Sequence, residues 1–177
     1  MYLSQWEWGT THNFLYDPSK SDYISKSQYI HLIDAGLEIN TAYPLILKPE
    51  RKVDLILSFD FSEGDPFLTL TEAEKYCSKN DIQFPEIIIK KEDENIPSKS
   101  FYIFGKGEKD VPVVMHFPLF NKINCEDNVQ GWRDRYQTFK LLYTPSDIED
   151  LLKVSKQIVT LSKNEILDNL QQKKKAP

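Results

Sequence analysis

Two short apolar runs separated by a proline-bracketed segment constrain the fold more than any other feature of this sequence. The first run, residues 29–33, ends in Asp34, and the second occupies residues 53–61. Pro44 and Pro49 lie between them and exclude an uninterrupted helix or central strand there. Short apolar runs bounded by glycine and proline are typical of buried strands in an α/β sheet. The sequence therefore predicts an α/β fold with Asp34 at the carboxyl end of a strand, where such folds bind ligands.

Asp34 has two interpretations on this pattern. It precedes a small residue and Gly36, a context in which an aspartate side chain commonly accepts hydrogen bonds from local backbone N–H groups. Such an aspartate forms a turn or caps a helix. The alternative is a carboxylate held at a ligand site. The pattern alone favours the turn or cap.

The composition indicates a folded, globular chain. Its 177 residues fit one domain, and apolar residues at 40% and aromatic residues at 12% can supply a core. A formal net charge of −5 gives no support to nucleic-acid binding and predicts no strong attraction to an anionic membrane surface. Cys77 and Cys125 have no metal-ligand spacing, and no metal or cofactor is expected.

The sequence also gives an expectation for the compartment. The first residues lack the basic segment and apolar core of a secretory signal, and no apolar run approaches the ~18 residues that a membrane span needs. Both cysteines are therefore expected to be reduced, and either buried or unreactive, in a cytoplasmic protein.

A βα step is predicted after the second apolar run. Asp65 and Pro66 are suited to begin a helix that ends near Asn80. Six apolar or aromatic residues recur at helical spacing within it: Phe67, Leu68, Leu70, Ala73, Tyr76 and Cys77.

The middle of the chain is predicted to contain a surface excursion and two strands. Residues 84–100 combine an apolar triplet with a charged, proline-containing tail and are assigned to the surface. Residues 100–104 and 111–117 are predicted strands, joined by a turn that contains two glycines. His116 lies in the second strand and is expected to be a hydrogen-bonded residue of the core or its rim rather than a base.

Helices are predicted for the C-terminal quarter, residues 144–172. Thr144 and Asp147 form a helix N-terminal signature, and Ser162 with Glu165 repeats the capping-box pattern. Two consecutive helices and one helix kinked near Ser162 are both compatible with this spacing.

The N-terminal segment, residues 1–28, is predicted to be irregular or partly helical, with a mobile loop in its middle. Its aromatic residues are expected to pack against the domain in preference to facing lipid: Trp6, Trp8, Phe14 and Tyr16.

Five stretches together carry a resemblance to a known family. They are WEWGTTHNFLY (6–16), LIDAGLEINTAYPLILKPERKVDLILSFDFSEGDPF (32–67), QFPE (83–86), VPVVMHFPLFN (111–121) and DRYQTFKL (134–141). They resemble the C-terminal half of the catalytic domain of the cytosolic phospholipase A2 (lysophospholipase-type) family, most closely its calcium-independent gamma type. The resemblance implies a patatin-like α/β fold in which residues 1–177 form part of the catalytic domain, with helices at its C-terminal end.

The resemblance also implies roles for two residues. The family uses a Ser–Asp dyad, in which a serine of a G-x-S-x-G turn attacks the ester carbonyl and the aspartate of the LIDAG block, Asp34 here, is its base. Arg51 falls where the family places an arginine near the lipid phosphate, and guanidinium geometry suits a phosphodiester. The alternative for Arg51 is a surface pair with Glu50 or Asp54. Partial burial would make a strand-end carboxylate a better base, and that setting is expected for Asp34.

The chain departs from the family in one important respect. No G-x-S-x-G occurs in it, and Ser58 and Ser62 are not flanked by the glycines that such a turn needs. We therefore expect the nucleophile to lie on an upstream catalytic segment and this polypeptide alone to be inactive on glycerophospholipids or lysophospholipids. The alternative function is a catalytically inactive fragment that acts as a lipid-binding or regulatory module, with transient contact to a membrane surface in either case.

The same departure bears on folding. A parallel sheet that lacks its first strands has an unpaired edge and an uncovered apolar face, both of which promote association. The isolated chain is therefore expected to be marginally stable or oligomeric.

Overall fold

A computed structural model describes residues 9–175, with side chains described through residue 172. The chain divides into two units, residues 1–40 and 41–177. Each unit is described by itself.

The first unit contains a two-stranded antiparallel ribbon. Strands β1 (Thr10–His12) and β2 (Tyr29–His31) pair with Thr11 opposite Ile30, and the short helix α1 (Tyr23–Lys26) lies between them in the chain. The prediction of a buried α/β strand over residues 29–33 is wrong, because β2 pairs only with β1 within the described residues and is mostly exposed. A two-stranded ribbon has too little surface to bury its own side chains.

The aromatic residues of this unit also differ from expectation. Phe14 and Tyr16 are exposed, so the prediction that they pack against the domain is wrong. Trp6 and Trp8 lie outside the described residues.

The second unit is built on a mixed three-stranded sheet. Strands β3 (Leu55–Asp60), β4 (Tyr102–Phe104) and β5 (Val113–Pro118) lie in the order β3-β5-β4. The central strand β5 runs parallel to β3 and antiparallel to β4, and all of its residues are buried. The α/β fold class is confirmed for this unit. A turn containing Gly105 and Gly107, both at positive φ, joins β4 to β5, as predicted.

Helices cover both faces of this sheet. On one face, α3 (Leu68–Lys79) packs over β3 and β5 in a core of Tyr43, Leu47, Ile56, Phe67, Leu70, Ala73, Cys77, Phe104 and Val114. On the other face lie three helices, α4 (Lys122–Cys125), α5 (Val129–Arg135) and α6 (Pro145–Lys175). Their core consists of Val113, Met115, Phe117, Leu119, Phe120, Cys125, Val129, Val154 and Ile158. The remaining short helix, α2 (Tyr43–Ile46), begins beside Pro44 and contacts α3.

The predicted βα step is present. The Asp65 carboxylate accepts a hydrogen bond from the Phe67 N–H at 2.9 Å, and α3 begins at Leu68 and ends one residue before Asn80. The helix therefore begins slightly later than its sequence signal, because Asp65 closes the preceding turn and not the helix itself.

The C-terminal helix is uninterrupted. Thr144 and Asp147 form the predicted reciprocal cap, in which each side chain accepts the backbone N–H of the other, at 2.9 and 3.1 Å. The prediction of a second capping box at Ser162 is wrong, because Ser162 is buried inside the 31-residue α6. Its hydroxyl lies 3.5 Å from that of Ser100. No helix within residues 9–175 is both long and apolar enough to cross a membrane.

The assignment of residues 84–100 to the surface is correct only in part. Phe84, Ile87 and Ile89 pack against the α3 core. Asp93 is buried and accepts hydrogen bonds from the Ser98 N–H and the hydroxyl of Tyr102. The Asp93 carboxylate thus connects this irregular segment to Tyr102 of β4.

Candidate functional site

Asp34 lies on the surface of the first unit, three residues after β2. It precedes the single 3-10 turn Ala35–Leu37, and its Oδ1 accepts a hydrogen bond from the Gly36 N–H at 2.8 Å. The side chain is exposed, so the expected partial burial is wrong. The cause is the ribbon itself, since the neighbouring Leu32 and Ile33 are exposed as well. The capping interpretation describes the local geometry, and the capping bond holds the carboxylate in a defined orientation on an open surface.

Arg51 lies in the second unit, at the end of the 3-10 turn Pro49–Arg51. Its side chain is exposed, and no ion pair to Glu50 or Asp54 is present among the described residues. The surface-pair alternative is therefore not supported. An exposed guanidinium whose charge no neighbouring carboxylate neutralises can bind an anionic group such as a phosphodiester.

Two buried polar residues that the sequence did not predict lie near the carboxyl end of β3. Asp60, the last residue of β3, is buried and accepts the Ser62 N–H at 2.8 Å. Arg133 of α5 is also buried, donates to the Asn95 carbonyl at 2.7 Å, and has a second guanidinium nitrogen with no hydrogen-bond partner. Burial lowers the pKa of Arg133, while the charges of Asp65 and Asp60 oppose that shift. The signal that could have identified Asp60 is its position at the end of β3, where α/β folds bind ligands.

His116 is a fully buried, hydrogen-bonded core residue, as predicted. Its Nε2 lies 2.7 Å from the Pro66 carbonyl oxygen, so Nε2 carries the proton and donates. Nδ1 then accepts from the Ser58 hydroxyl at 3.3 Å. Ser58 is itself buried in the sheet.

Burial lowers the pKa of His116 below its ordinary 6.5, and the charges of Asp60 and Asp65 only partly offset this. The unfolded chain therefore binds a proton as the pH falls below about 6.5, while the folded chain does not. We expect the free energy of unfolding to decrease as the pH falls from about 6.5 through the folded pKa, by at most about 1.4 kcal/mol per pH unit. Urea denaturation between pH 5 and 8 measures this slope.

The matched variants for this slope are His116→Gln and His31→Gln. His116→Gln removes the titrating ring and should flatten the slope between pH 5 and 6.5. His31→Gln, at an exposed histidine of β2, should retain it because His116 is still present. An unchanged slope in His116→Gln would contradict the assignment.

The described residues contain no cluster of three or more acidic, histidine or cysteine side chains able to hold a metal ion. Cys77 and Cys125 are buried free thiols, and burial raises the pKa of each to about 11. Neither thiol is therefore reactive at neutral pH.

Among known proteins, relatives are found that are similar to nearly the whole of this chain. No model of a protein family matches the chain. Over 174 residues it is 45% identical to cytosolic phospholipase A2 gamma of Mus musculus and 47% identical to that of Homo sapiens, which covers 95% and 94% of this chain. The chain spans only 29% and 31% of the length of these two relatives.

Similarity to solved structures agrees with this result. Human GIVD cytosolic phospholipase A2 is 29% identical and superposes with a TM-score of 0.69, covering 82% of this chain and 22% of that one. A second structure of the same protein, with a TM-score of 0.65, contains methyl gamma-linolenyl fluorophosphonate inhibitor and terbium chloride.

Proposed function

Because this chain belongs to the cytosolic phospholipase A2 family and has part of that family's patatin-like α/β catalytic fold, we propose that it forms the C-terminal part of a phospholipase A2 or lysophospholipase. The enzyme hydrolyses fatty-acyl esters of glycerophospholipids without calcium. The observation that carries this proposal is the 45% to 47% identity to the two gamma-type relatives over 174 residues.

In the proposed mechanism, Asp34 is the proton acceptor of a Ser–Asp dyad. The serine lies on an upstream segment and attacks the ester carbonyl, while its hydroxyl proton passes to the Asp34 carboxylate. The proton then goes to the departing glycerol oxygen, and water releases the fatty acid from the acyl-serine. The Gly36 N–H bond to Oδ1 orients the carboxylate for this transfer. Desolvation makes a carboxylate a stronger base, and the docked upstream segment would supply the cover that the exposed side chain lacks.

Arg51 binds the substrate phosphate in this proposal. We expect Arg51→Ala to lower kcat/KM of the assembled enzyme for a phospholipid by roughly 10- to 100-fold, the effect of losing a charge-assisted hydrogen bond worth about 1.5–3 kcal/mol. Arg51→Lys should lose part of the rate, since an ammonium keeps the charge but not the bidentate geometry. Fatty-acid release from labelled vesicles measures this.

Lys48→Ala is the matched control for Arg51→Ala. Lys48 is an exposed cation adjacent to the same 3-10 turn, so its loss changes the local charge equally. We expect a change of less than about twofold for this variant. An acyl ester without a phosphate should be insensitive to all three substitutions. Equal losses on that neutral ester would show that Arg51 does not act through the phosphate.

Transient contact with a membrane surface is part of the proposal. Phe139, Leu141 and Leu142 form an almost fully exposed apolar stretch of the second unit, at 85% to 87% exposure. The net charge of −5 opposes attraction to anionic lipid, so this contact would depend on apolar insertion.

Reconstitution tests the proposed function. The chain alone should release no fatty acid from labelled phospholipid, whereas the chain mixed with the part of mouse cytosolic phospholipase A2 gamma that precedes the matched region should do so, and a calcium chelator should leave the rate unchanged. Vesicle binding by the mixture without hydrolysis would instead favour the alternative, a lipid-binding or regulatory module.

A further inference from the structure

A groove of about 890 Å³ follows the outer edge of strand β4. All of residues 99–106 line it, and because successive residues of a strand point to opposite faces, the groove reaches both faces of the sheet and the edge between them. β4 is the last strand in the order β3-β5-β4, and no strand within residues 9–175 pairs with its outer edge. Alternate residues of an antiparallel ladder direct their N–H and C=O groups away from the neighbouring strand. The groove therefore gives access to backbone hydrogen-bonding groups of β4.

Apolar side chains form the two walls of this groove. On one side, Ile88 lines it, and the adjacent Ile87 and Ile89 pack into the core on the α3 face of the sheet. On the other side, Ile123 of α4 and Leu161 of α6 line it, and these two helices cover the opposite face. One extended chain can enter the space between the walls. A second sheet edge carries covering helices of its own, and these would meet the walls.

The accessible charge is positive at the end of the groove where β4 begins. Lys99 lines this end, with its Nζ 5.8 Å from the ring centroid of Tyr102. Lys90 lies at the same end, because its carbonyl accepts the Asp93 N–H at 2.8 Å and the Asp93 carboxylate accepts the Tyr102 hydroxyl. Asp93 is buried and already hydrogen-bonded. Glu92 does not line the groove, and its 3.8 Å pair with Lys90 is exposed and therefore weak.

The accessible charge is negative at the other end of the groove, where β4 ends. The Glu108 N–H donates to the Gly105 carbonyl, which places Glu108 at this end. Glu86 follows Pro85, and Pro85 lies so close to Gly105 that a Cβ added there would be 2.9 Å from the Pro85 Cβ. Lys106 is the third charged residue here, and all three charged side chains are exposed. No ion pair within residues 9–172 involves them, so two carboxylates outnumber one ammonium.

We propose that this groove binds an extended segment of a partner protein, which adds an antiparallel strand to the outer edge of β4. A basic residue near the N-terminus of the segment faces Glu86 and Glu108. An acidic residue near its C-terminus faces Lys90 and Lys99, and apolar residues between them contact the walls. The antiparallel orientation is the more stable pairing, and it fixes which end of the segment carries which charge. About six residues of an extended chain span ~20 Å, the length of such a strand.

The strand edge distinguishes a peptide from a lipid as the occupant. An acyl chain in the groove would contact the apolar walls, but it would displace water from the N–H and C=O groups of β4 and leave them without partners. A peptide strand contacts the same walls and also supplies those hydrogen bonds. The two oppositely charged ends of the groove likewise match a segment with a charge at each end, whereas a fatty acid carries one.

Binding of synthetic peptides to the full chain tests the proposal. The probe is the blocked peptide KVTVTVE, and its matched control is the reversed sequence EVTVTVK, which has the same composition but meets like charges when it pairs antiparallel. We expect KVTVTVE to bind with a Kd below about 1 mM and roughly fivefold more tightly than the control. Fluorescence anisotropy measures the Kd. Amide hydrogen exchange should slow over residues 101–105 when KVTVTVE binds.

N-methylated peptides test whether the backbone of the peptide pairs with β4. Two versions of KVTVTVE are methylated at alternate amides, each along a different edge of the strand. Only one edge of a bound strand can face β4, so one version should lose binding and the other should retain it. Equal binding of both versions would show that the peptide does not extend the sheet.

Two variants on opposite sides of α6 test the wall of the groove. Leu161 and Leu152 are 54% and 59% exposed, so neither Leu161→Glu nor Leu152→Glu should prevent folding. The two residues are nine positions apart, which is half a turn at 100° per residue, and only Leu161 lines the groove. We expect Leu161→Glu to weaken binding of KVTVTVE by roughly tenfold, because apolar contact is lost, and Leu152→Glu to change the Kd by less than twofold.

A charge reversal tests the orientation of the bound segment. Lys99→Glu should weaken binding of KVTVTVE by about fivefold, because its acidic end then meets a carboxylate. The peptide KVTVTVK should recover affinity for this variant but bind the parent chain less well. Recovery would also show that the variant is folded.

Several outcomes would overturn the proposal. They are equal affinities for KVTVTVE and its reverse, no measurable binding at millimolar concentration, no slowing of exchange over residues 101–105, and equal effects of the two α6 variants. Displacement of the peptide by phosphatidylcholine vesicles or by oleate would identify the groove as a lipid site instead. A dimer of this chain that already protects residues 101–105 would identify a second copy as the occupant. None of these measurements involves hydrolysis, so their outcome is independent of the proposed function.

Discussion

Replacing Asp34 by asparagine is expected to lower phospholipid hydrolysis by the assembled enzyme by roughly 10⁴-fold, the order of loss seen when the carboxylate of a hydrolase catalytic unit is neutralised. The amide oxygen of asparagine can still accept the Gly36 N–H, as the Asp34 carboxylate does at 2.8 Å, because asparagine and aspartate cap equally well. The turn should therefore survive while the proton acceptor is lost. The measurement is kcat for release of labelled fatty acid, together with thermal unfolding of each protein.

Glu38→Gln is the control for Asp34→Asn. Glu38 is an exposed carboxylate at the end of the same 3-10 turn, so this variant removes an equal charge from the same surface. We expect a rate within about twofold of the parent and an unchanged melting temperature. If both variants lost activity equally, the effect would be one of surface charge, and Asp34 would not be the base.

Leu70→Ala is expected to lower the free energy of unfolding by about 2–5 kcal/mol. Leu70 is 0% exposed in the core between α3 and the sheet, so truncation leaves a cavity next to β3 and β5. That loss is a large part of the total stability of an ordinary domain, about 5–15 kcal/mol. Urea denaturation followed by circular dichroism measures it.

Leu68→Ala, two residues earlier on α3, isolates burial from helix propensity. Leu68 is 53% exposed, and alanine is the better helix former at either site, so we expect a change within about 0.5 kcal/mol. Similar losses for the two variants would mean that α3 does not pack on the sheet through Leu70.

The prediction that the isolated chain is marginally stable or oligomeric remains to be measured. Its structural basis is the outer edge of β3, with which no strand within residues 9–175 pairs. Concentration-dependent sedimentation is the direct measurement. A monomer that melts in one sharp transition would contradict the prediction.

Features that depend on neighbouring residues could be predicted from the sequence. The cap between Thr144 and Asp147, the turn at Gly105 and Gly107, and the step from β3 into α3 are all present. Each is set by backbone preferences and hydrogen bonds over a few residues, which any chain with that local sequence has available.

Features that depend on distant partners could not be predicted in this way. Residues 29–33 and 53–61 are similar apolar runs, yet only the second enters the mixed sheet, where β5 lies beside it, while the first pairs with β1 and leaves Asp34 exposed. Ser162 and Glu165 match the sequence pattern of a capping box. The Ser162 hydroxyl nevertheless lies 3.5 Å from that of Ser100, and the helix continues through both residues. The sequence by itself predicted the strands and the first helix of the mixed sheet, the family, and Asp34 as a candidate base. Only the tertiary structure decided which strands are neighbours and which side chains are covered, because burial is a property of contacts between segments far apart in the chain.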